Sequence, residues 1–209
     1  MRTVNWTEDG SGFQASLILI NEAEALACLG RLEEALQHVA LANNGNALVR
    51  AGRAAHRAWV LAELGRLDEA RRELGEHERL SSALGHFKAE WYFSVFAVDF
   101  AARDWVAASA ALDEAEQVAR RESSKRNVSL LRGQLAFARA AYDDAIQCFE
   151  RAAASKYRWQ GGAGWLEHGD ALAHLGRRDE ARAAWRSCLE RDGQSPASEV
   201  APLRLGAEP

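Results

Sequence analysis

AELGRLDEARREL, residues 62–74, has two close echoes in the same chain: ACLGRLEEALQHV at 27–39 and AHLGRRDEARAAW at 173–185. All three carry Leu-Gly-Arg-x-Asp/Glu-Glu-Ala. Two weaker copies fill the gap between them, FAARDWVAASAALDE at 100–114 and FARAAYDDAIQCFE at 137–150. The five copies set Ala35, Ala70, Ala108, Ala145 and Ala181 at intervals of 35, 38, 37 and 36 residues. A fixed internal pattern at a period of about 34–38 residues is the signature of a stacked helical repeat.

Each unit reads as a pair of helices. The apolar-striped ALVRAGRAAHRAWVLAELG ends at Gly65, placed as a C′ glycine. RLDEARRELGEHERL follows, with acids in its first turn where the helix dipole favours them. GGAGWLEHGDALAHLG and RRDEARAAWRSCLER repeat the logic. The Ala after Asp/Glu-Glu falls where two helices approach closely, and Leu64 and Leu175 read as core. Polar breaks at NNGN, SSALG, RRESSK and SKYRWQGG separate the units. The pattern predicts helices over 12–29, 32–43, 47–64, 67–80, 86–102, 105–121, 124–139, 142–154, 162–175 and 178–190. The organisation expected is a lead-in at 1–11, an array of five helix pairs at 12–191 and a tail at 192–209. All three prolines lie in that tail, DGQSPASEVAPLRLGAEP, which therefore reads as non-helical and offers no clear capping helix.

Composition narrows the function classes. Hydrophobic residues make up 48% of the 209-residue chain and charged residues 27%, the balance of a soluble globular protein. A net charge of −4 argues against sequence-independent nucleic-acid binding. The N-terminal residues lack a charged n-region followed by an apolar stretch, and no run of about 18 apolar residues occurs. Neither a signal peptide nor a membrane span is expected. The three cysteines, Cys28, Cys148 and Cys188, are widely spaced and read as small packed thiols in a reducing, cytoplasmic setting. Abundant Ala and Arg with little Lys suggest a bacterial source.

Chemistry-bearing patterns are few. No His-Glu-x-x-His, CxxC, P-loop or Gly-x-Ser-x-Gly motif occurs, so neither an enzyme nor a cofactor is expected. Glu167, Asp170 and His174, at i, i+3 and i+7, could share a helix face. A polar stripe lining a groove is preferred there to a metal site. The pairs Arg71–Arg72, Arg120–Arg121 and Arg177–Arg178 alternate with acids, as solvated helix faces do.

The chain resembles the tetratricopeptide repeat (TPR) family. Trp165, Gly169, Gly176, Ala181 and Trp185 fall in that family's order, and Gly30 and Gly65 match its turn glycine. Tyr142 and Trp105 match the aromatic opening the second helix; Phe149 and Leu112 match the later bulky position. Arg103 and Ala140 replace the turn glycine, and Phe96 stands where a small residue is usual. The resemblance covers residues 12–191. It implies an all-α, right-handed superhelical solenoid of helix-turn-helix (TPR-like) repeats, with the first helix of each unit lining an inner groove. It assigns Ile20, Glu24, His56, Trp59, Phe93, Phe100, Leu130, Gln134, Phe137 and Asp170 to that groove. The Lys/Asn/Arg clamp by which some members hold acidic chaperone tails is absent from the corresponding positions.

The expected function is a non-catalytic scaffold that takes a protein partner's peptide or helix on an apolar, aromatic groove, with no nucleic acid and no membrane involved. Trp59, Phe93, Phe100, Phe137, Gln134, His56, Glu24 and Asp170 are the partner-binding set. Two other readings stay open: a ligand- or peptide-sensing module of a bacterial signalling or transcription system, and a self-assembling array or homodimer.

Overall fold

The computed structural model describes residues 6–42, 46–84, 88–156, 158–191 and 196–206. They form helices α1 (Trp6–Cys28), α2 (Leu32–Leu41), α3 (Ala47–Glu63), α4 (Leu67–Leu84), α5 (Lys88–Ala101), α6 (Trp105–Val118), α7 (Glu122–Ala138), α8 (Tyr142–Ala153), α9 (Arg158–His174), α10 (Arg178–Arg191) and α11 (Pro196–Gly206). There is no strand among the described residues. The chain is an all-α helical repeat of the solenoid class. Its contacts divide it into an N-terminal unit, Met1–Asp104, and a C-terminal unit, Trp105–Pro209.

The recurring heptapeptide is a turn code. After α3, the Gly65 amide bonds to the Ala62 carbonyl at 2.9 Å and the Arg66 amide to the Leu61 carbonyl at 2.8 Å. This pair of bonds is a Schellman motif, which satisfies helix-end carbonyls by placing one residue in the left-handed region. The same two bonds close the turns after α1, α5, α7 and α9. Gly30, Gly65 and Gly176 hold φ of 74–75°, a conformation that costs glycine little. Arg103 and Ala140 hold φ of 58° and 59° at the corresponding sites, so two turns carry backbone strain where three do not.

The Arg of the code forks onto the Glu three residues later. Arg31–Glu34, Arg66–Glu69 and Arg177–Glu180 each form two hydrogen bonds of 2.6–2.8 Å at the start of a second helix. These bonds hold the three carboxyls below the ordinary Glu range. The Ala that ends the code is fully buried at all five positions: Ala35, Ala70, Ala108, Ala145 and Ala181. The parts of the heptapeptide thus divide the physical work among a left-handed turn, a charged clamp and a close helix approach.

Side-chain sizes are matched in register in the hairpins α1–α2, α3–α4, α7–α8 and α9–α10. Seven residues before the turn residue stand Ala23, Ala58, Gly133 and Gly169; nine after it stand Val39, Leu74, Phe149 and Trp185. A Cβ on Gly133 would collide with the Phe149 ring, and one on Gly169 with the Trp185 ring. Large rings therefore occur where the facing residue has no side chain. Alanine takes that place in α1 and α3, where the facing residue is aliphatic; the same two positions about the Arg103 turn carry Phe96 and Leu112 and do not follow this match. Gly164 allows a closer approach still, since its Cβ would lie 2.5 Å from the backbone nitrogen of Ala153.

The structure corrects several expectations. The tail is not irregular: Pro196–Gly206 is α11, with Ala197, Ser198 and Ala201 buried. Pro196 occupies the first helical position, where its missing amide hydrogen is no loss, so a proline-rich segment remains helical. α11 packs on α9 and α10 as α9 packs on α7 and α8, in the place of a further first helix. A capping helix is therefore present. α1 starts at Trp6 instead of residue 12, α4 runs through the expected break to Leu84, and α9 starts at Arg158. Leu64 packs against the α1–α3 core, whereas Leu175 is 39% exposed, because a residue at a helix C-cap is sheltered only where a neighbouring turn reaches it. Cys148 and Cys188 are buried, but Cys28, in the last turn of α1, is exposed.

Candidate functional site

The first helices carry most of the predicted site, and each unit arranges it differently. Counted back from the turn residue, Glu24, Trp59, Gln134 and Asp170 stand at position −6, and His56 and Glu167 at position −9. These two positions share a helix face, being about one turn apart. A polar rung runs from −6 of one hairpin to −9 of the next. Glu24 Oε2 lies 3.5 Å from His56 Nε2, joining α1 to α3. The Gln134 amide donates to Glu167 at 3.2 Å, joining α7 to α9. The Arg204 guanidinium donates to Asp170 at 3.1, 3.2 and 3.3 Å, joining α11 to α9.

In the N-terminal unit, His56 sits between two acceptors. Its Nδ1 is 2.8 Å from the Gly52 carbonyl, and its Nε2 faces Glu24. Only the imidazolium can donate to both at once. Burial alone lowers the His56 pKa, but the Glu24 carboxylate and the Gly52 carbonyl reverse this and raise it above the ordinary value. Trp59 is half-buried, resting on the Ala23–Val39–Val60 core and edge-on to His56 with ring centres 6.5 Å apart. Phe93 and Phe100 are half-buried on α5, and Phe100 packs against the buried Phe96 with ring centres 5.3 Å apart. Behind this face, His77 on α4 meets the edge of Trp91 at 5.6 Å. His77 is buried, its Nδ1 has no hydrogen-bond partner, and burial followed by the charge of His56 pushes its pKa down to about 4.

In the C-terminal unit, Phe137, Tyr142 and His174 form a cluster of three rings. His174 stacks on Tyr142 at 5.1 Å, and Phe137 meets both edge-on at 4.9 and 5.3 Å. Asp170 accepts from Trp185 Nε1 at 3.0 Å as well as from Arg204. Burial pushes the Glu167 carboxyl above the ordinary Glu range, and the Gln134 amide pulls it back in part. The face shared by Glu167, Asp170 and His174 therefore does not converge on a metal. Each member is turned to a separate partner, and no group of three candidate ligands converges among the described residues.

Two residues assigned to the groove belong to the core. Ile20 is 4% exposed beside Ala42 and Val49, and Leu130 is 8% exposed within the α7–α11 core. Their first-helix positions suggested a groove, but neighbouring helices cover them. Sequence reasoning missed Arg204, because it lies in a segment that reads as irregular. Glu167 carries a sequence signal only as part of a metal-like stripe. No described helix is long and apolar enough to cross a membrane.

Repeat turns of one type, matched side-chain sizes and first-helix rungs define an all-α helical-repeat fold of TPR-like kind. No protein-family model matches the chain, and no curated protein matches it. Among solved structures, BtubC (BKLC) from P. vanneervenii is similar with a TM-score of 0.52 and 18% identity, covering 91% of this chain and 76% of that one. MamA is similar with a TM-score of 0.48 and 18% identity, over 94% of this chain and 99% of that one. The BtubC likeness concerns the fold alone.

Proposed function

We propose that the chain is a non-catalytic protein-interaction scaffold that takes a partner's peptide or helix on the faces of its first helices. In the N-terminal unit the contact residues are Trp59, Phe93 and Phe100, flanked by Glu24 and His56. In the C-terminal unit they are Phe137, Gln134 and Asp170. The observation that carries this reading is the occurrence of half-buried aromatic rings on the first helices α3, α5 and α7, together with polar rungs at fixed positions on α1, α3, α7 and α9. A half-buried aromatic offers a large apolar area and little entropy to lose, which is why such residues anchor interfaces. Paired acids and amides on the same face give such a ligand orientation.

The test is alanine substitution of Trp59 and Phe93, measured as affinity for the partner captured from the source cells. Each should cost about 2 kcal/mol or more, the scale of an interface hot spot. Arg72→Glu on the second-helix face should cost far less. Trp59 also rests on the core, so circular dichroism and a melt must accompany the measurement. A folded Trp59→Ala protein with parental affinity would refute the assignment.

A further inference from the structure

The position of α11 defines a docking site more narrowly than the scaffold reading does. α11 lies where a further first helix would lie, against α9 and α10. It makes contact through Ala197 and Ala201, both in the α7–α11 core, and through Arg204 on Asp170. These residues are at i, i+4 and i+7, one face of a single helix. Small residues let the backbones approach, and the guanidinium then forks onto a carboxylate already fixed by the Trp185 indole.

α11 is a poor occupant of this site. It has eleven residues, and helices this short are marginal on their own. Pro202 lies inside it and removes one helical hydrogen bond. Leu203 is 69% exposed, so of its two leucines only Leu205 packs against the core of the seat. Arg204 is half exposed where it meets Asp170. A helix with the same anchors and no internal proline would bind the same seat better.

We infer that the α9–α10 face around Asp170 is a docking site for a partner helix bearing small residues at i and i+4 and an arginine at i+7, and that α11 is its displaceable occupant in cis. The inference rests on the scaffold reading and adds the sequence pattern of the ligand and the competition by the chain's own helix. Because α11 and the partner exclude one another, the apparent affinity for the partner scales with the fraction of molecules whose seat is open.

The probe is a fluorescein-labelled peptide of residues 196–206 carrying Pro202→Ala, titrated by anisotropy against the full chain. Arg204→Ala in the protein loosens α11 and should raise probe affinity about tenfold, while Pro202→Ala in the protein tightens α11 and should lower it about tenfold. A second probe that also carries Arg204→Ala should bind the Arg204→Ala protein about tenfold more weakly than the first. Melts of each protein variant confirm folding. The inference is overturned if the first probe fails to bind the folded Arg204→Ala protein up to its solubility limit. Equal binding to all three proteins, or indifference to the probe arginine, also overturns it. If these results fail while binding of the captured partner still depends on Trp59, the scaffold reading stands and only this site falls.

Discussion

The two units use one repeat register with opposite means of cohesion. In the N-terminal unit, first and second helices meet through alanine against aliphatic residues, Ala23 with Val39 and Ala58 with Leu74. Its inner rung is a titratable pair, Glu24 and His56. In the C-terminal unit, Gly133 and Gly169 admit Phe149 and Trp185, Gly164 brings two backbones together, and α11 covers the last hairpin. Its rungs are a neutral amide on a buried carboxyl and a guanidinium fork. The register specifies where helices meet, and residue size at two positions decides how closely. One unit keeps a rung that responds to protons, while the other keeps a rung occupied by its own terminal helix.

The comparison breaks most visibly at Gly164. Valine there would collide with the Ala153 backbone, which cannot rotate away, and should cost about 3 kcal/mol by chemical denaturation. The next effect concerns acid stability of the N-terminal unit. His77 is kept neutral by burial in the fold, so the unfolded chain binds more protons between the ordinary His value of about 6.5 and a folded value of about 4. Stability should fall by about 2 kcal/mol as pH drops through that window. His77→Leu should flatten the loss in melts between those limits; an unchanged acid slope would show that His77 does not carry it.

Smaller effects test the turns and the rung. Ala140→Gly relieves a left-handed alanine and should stabilise the C-terminal unit by about 1 kcal/mol, whereas Gly65→Ala should cost the N-terminal unit about as much. Equal and opposite shifts in melting temperature would show that the two turns differ by backbone strain alone. Glu24→Gln should cost about 0.5 kcal/mol below pH 6.5, since the raised His56 pKa stabilises the fold only while the ring is charged. That difference should vanish as pH rises through the folded His56 value. A deficit that persists at pH 9 would assign Glu24 a packing role instead.

The fold is legible in the sequence because its code is written in residue types that have few substitutes. A left-handed turn favours glycine, a tight helix crossing favours alanine, and both recur at one spacing. Even the two exceptions, Arg103 and Ala140, can be placed from the flanking alanines. α11 is not legible, because proline reads as a breaker whereas Pro196 stands at a helix start and Pro202 is tolerated by packing of the same helix on α9 and α10. The rungs escape for another reason. Glu24–His56, Gln134–Glu167 and Asp170–Arg204 share positions but no residue type, so no pattern in composition marks them. Exposure is equally hidden: Leu130 and Trp59 both fall on first helices, yet Leu130 is core and Trp59 is half open. Only the packing of neighbouring helices distinguishes them.

The central claim, that partners meet the first-helix faces, is tested most directly by site-specific photo-crosslinking in the source cells. A benzophenone amino acid is placed at position 59 on α3 in one chain and at position 72 on α4 in another, and adducts are resolved by mass spectrometry. The expected result is a discrete protein adduct from position 59, with no counterpart from position 72. A discrete adduct from position 72 with none from position 59 would contradict the claim.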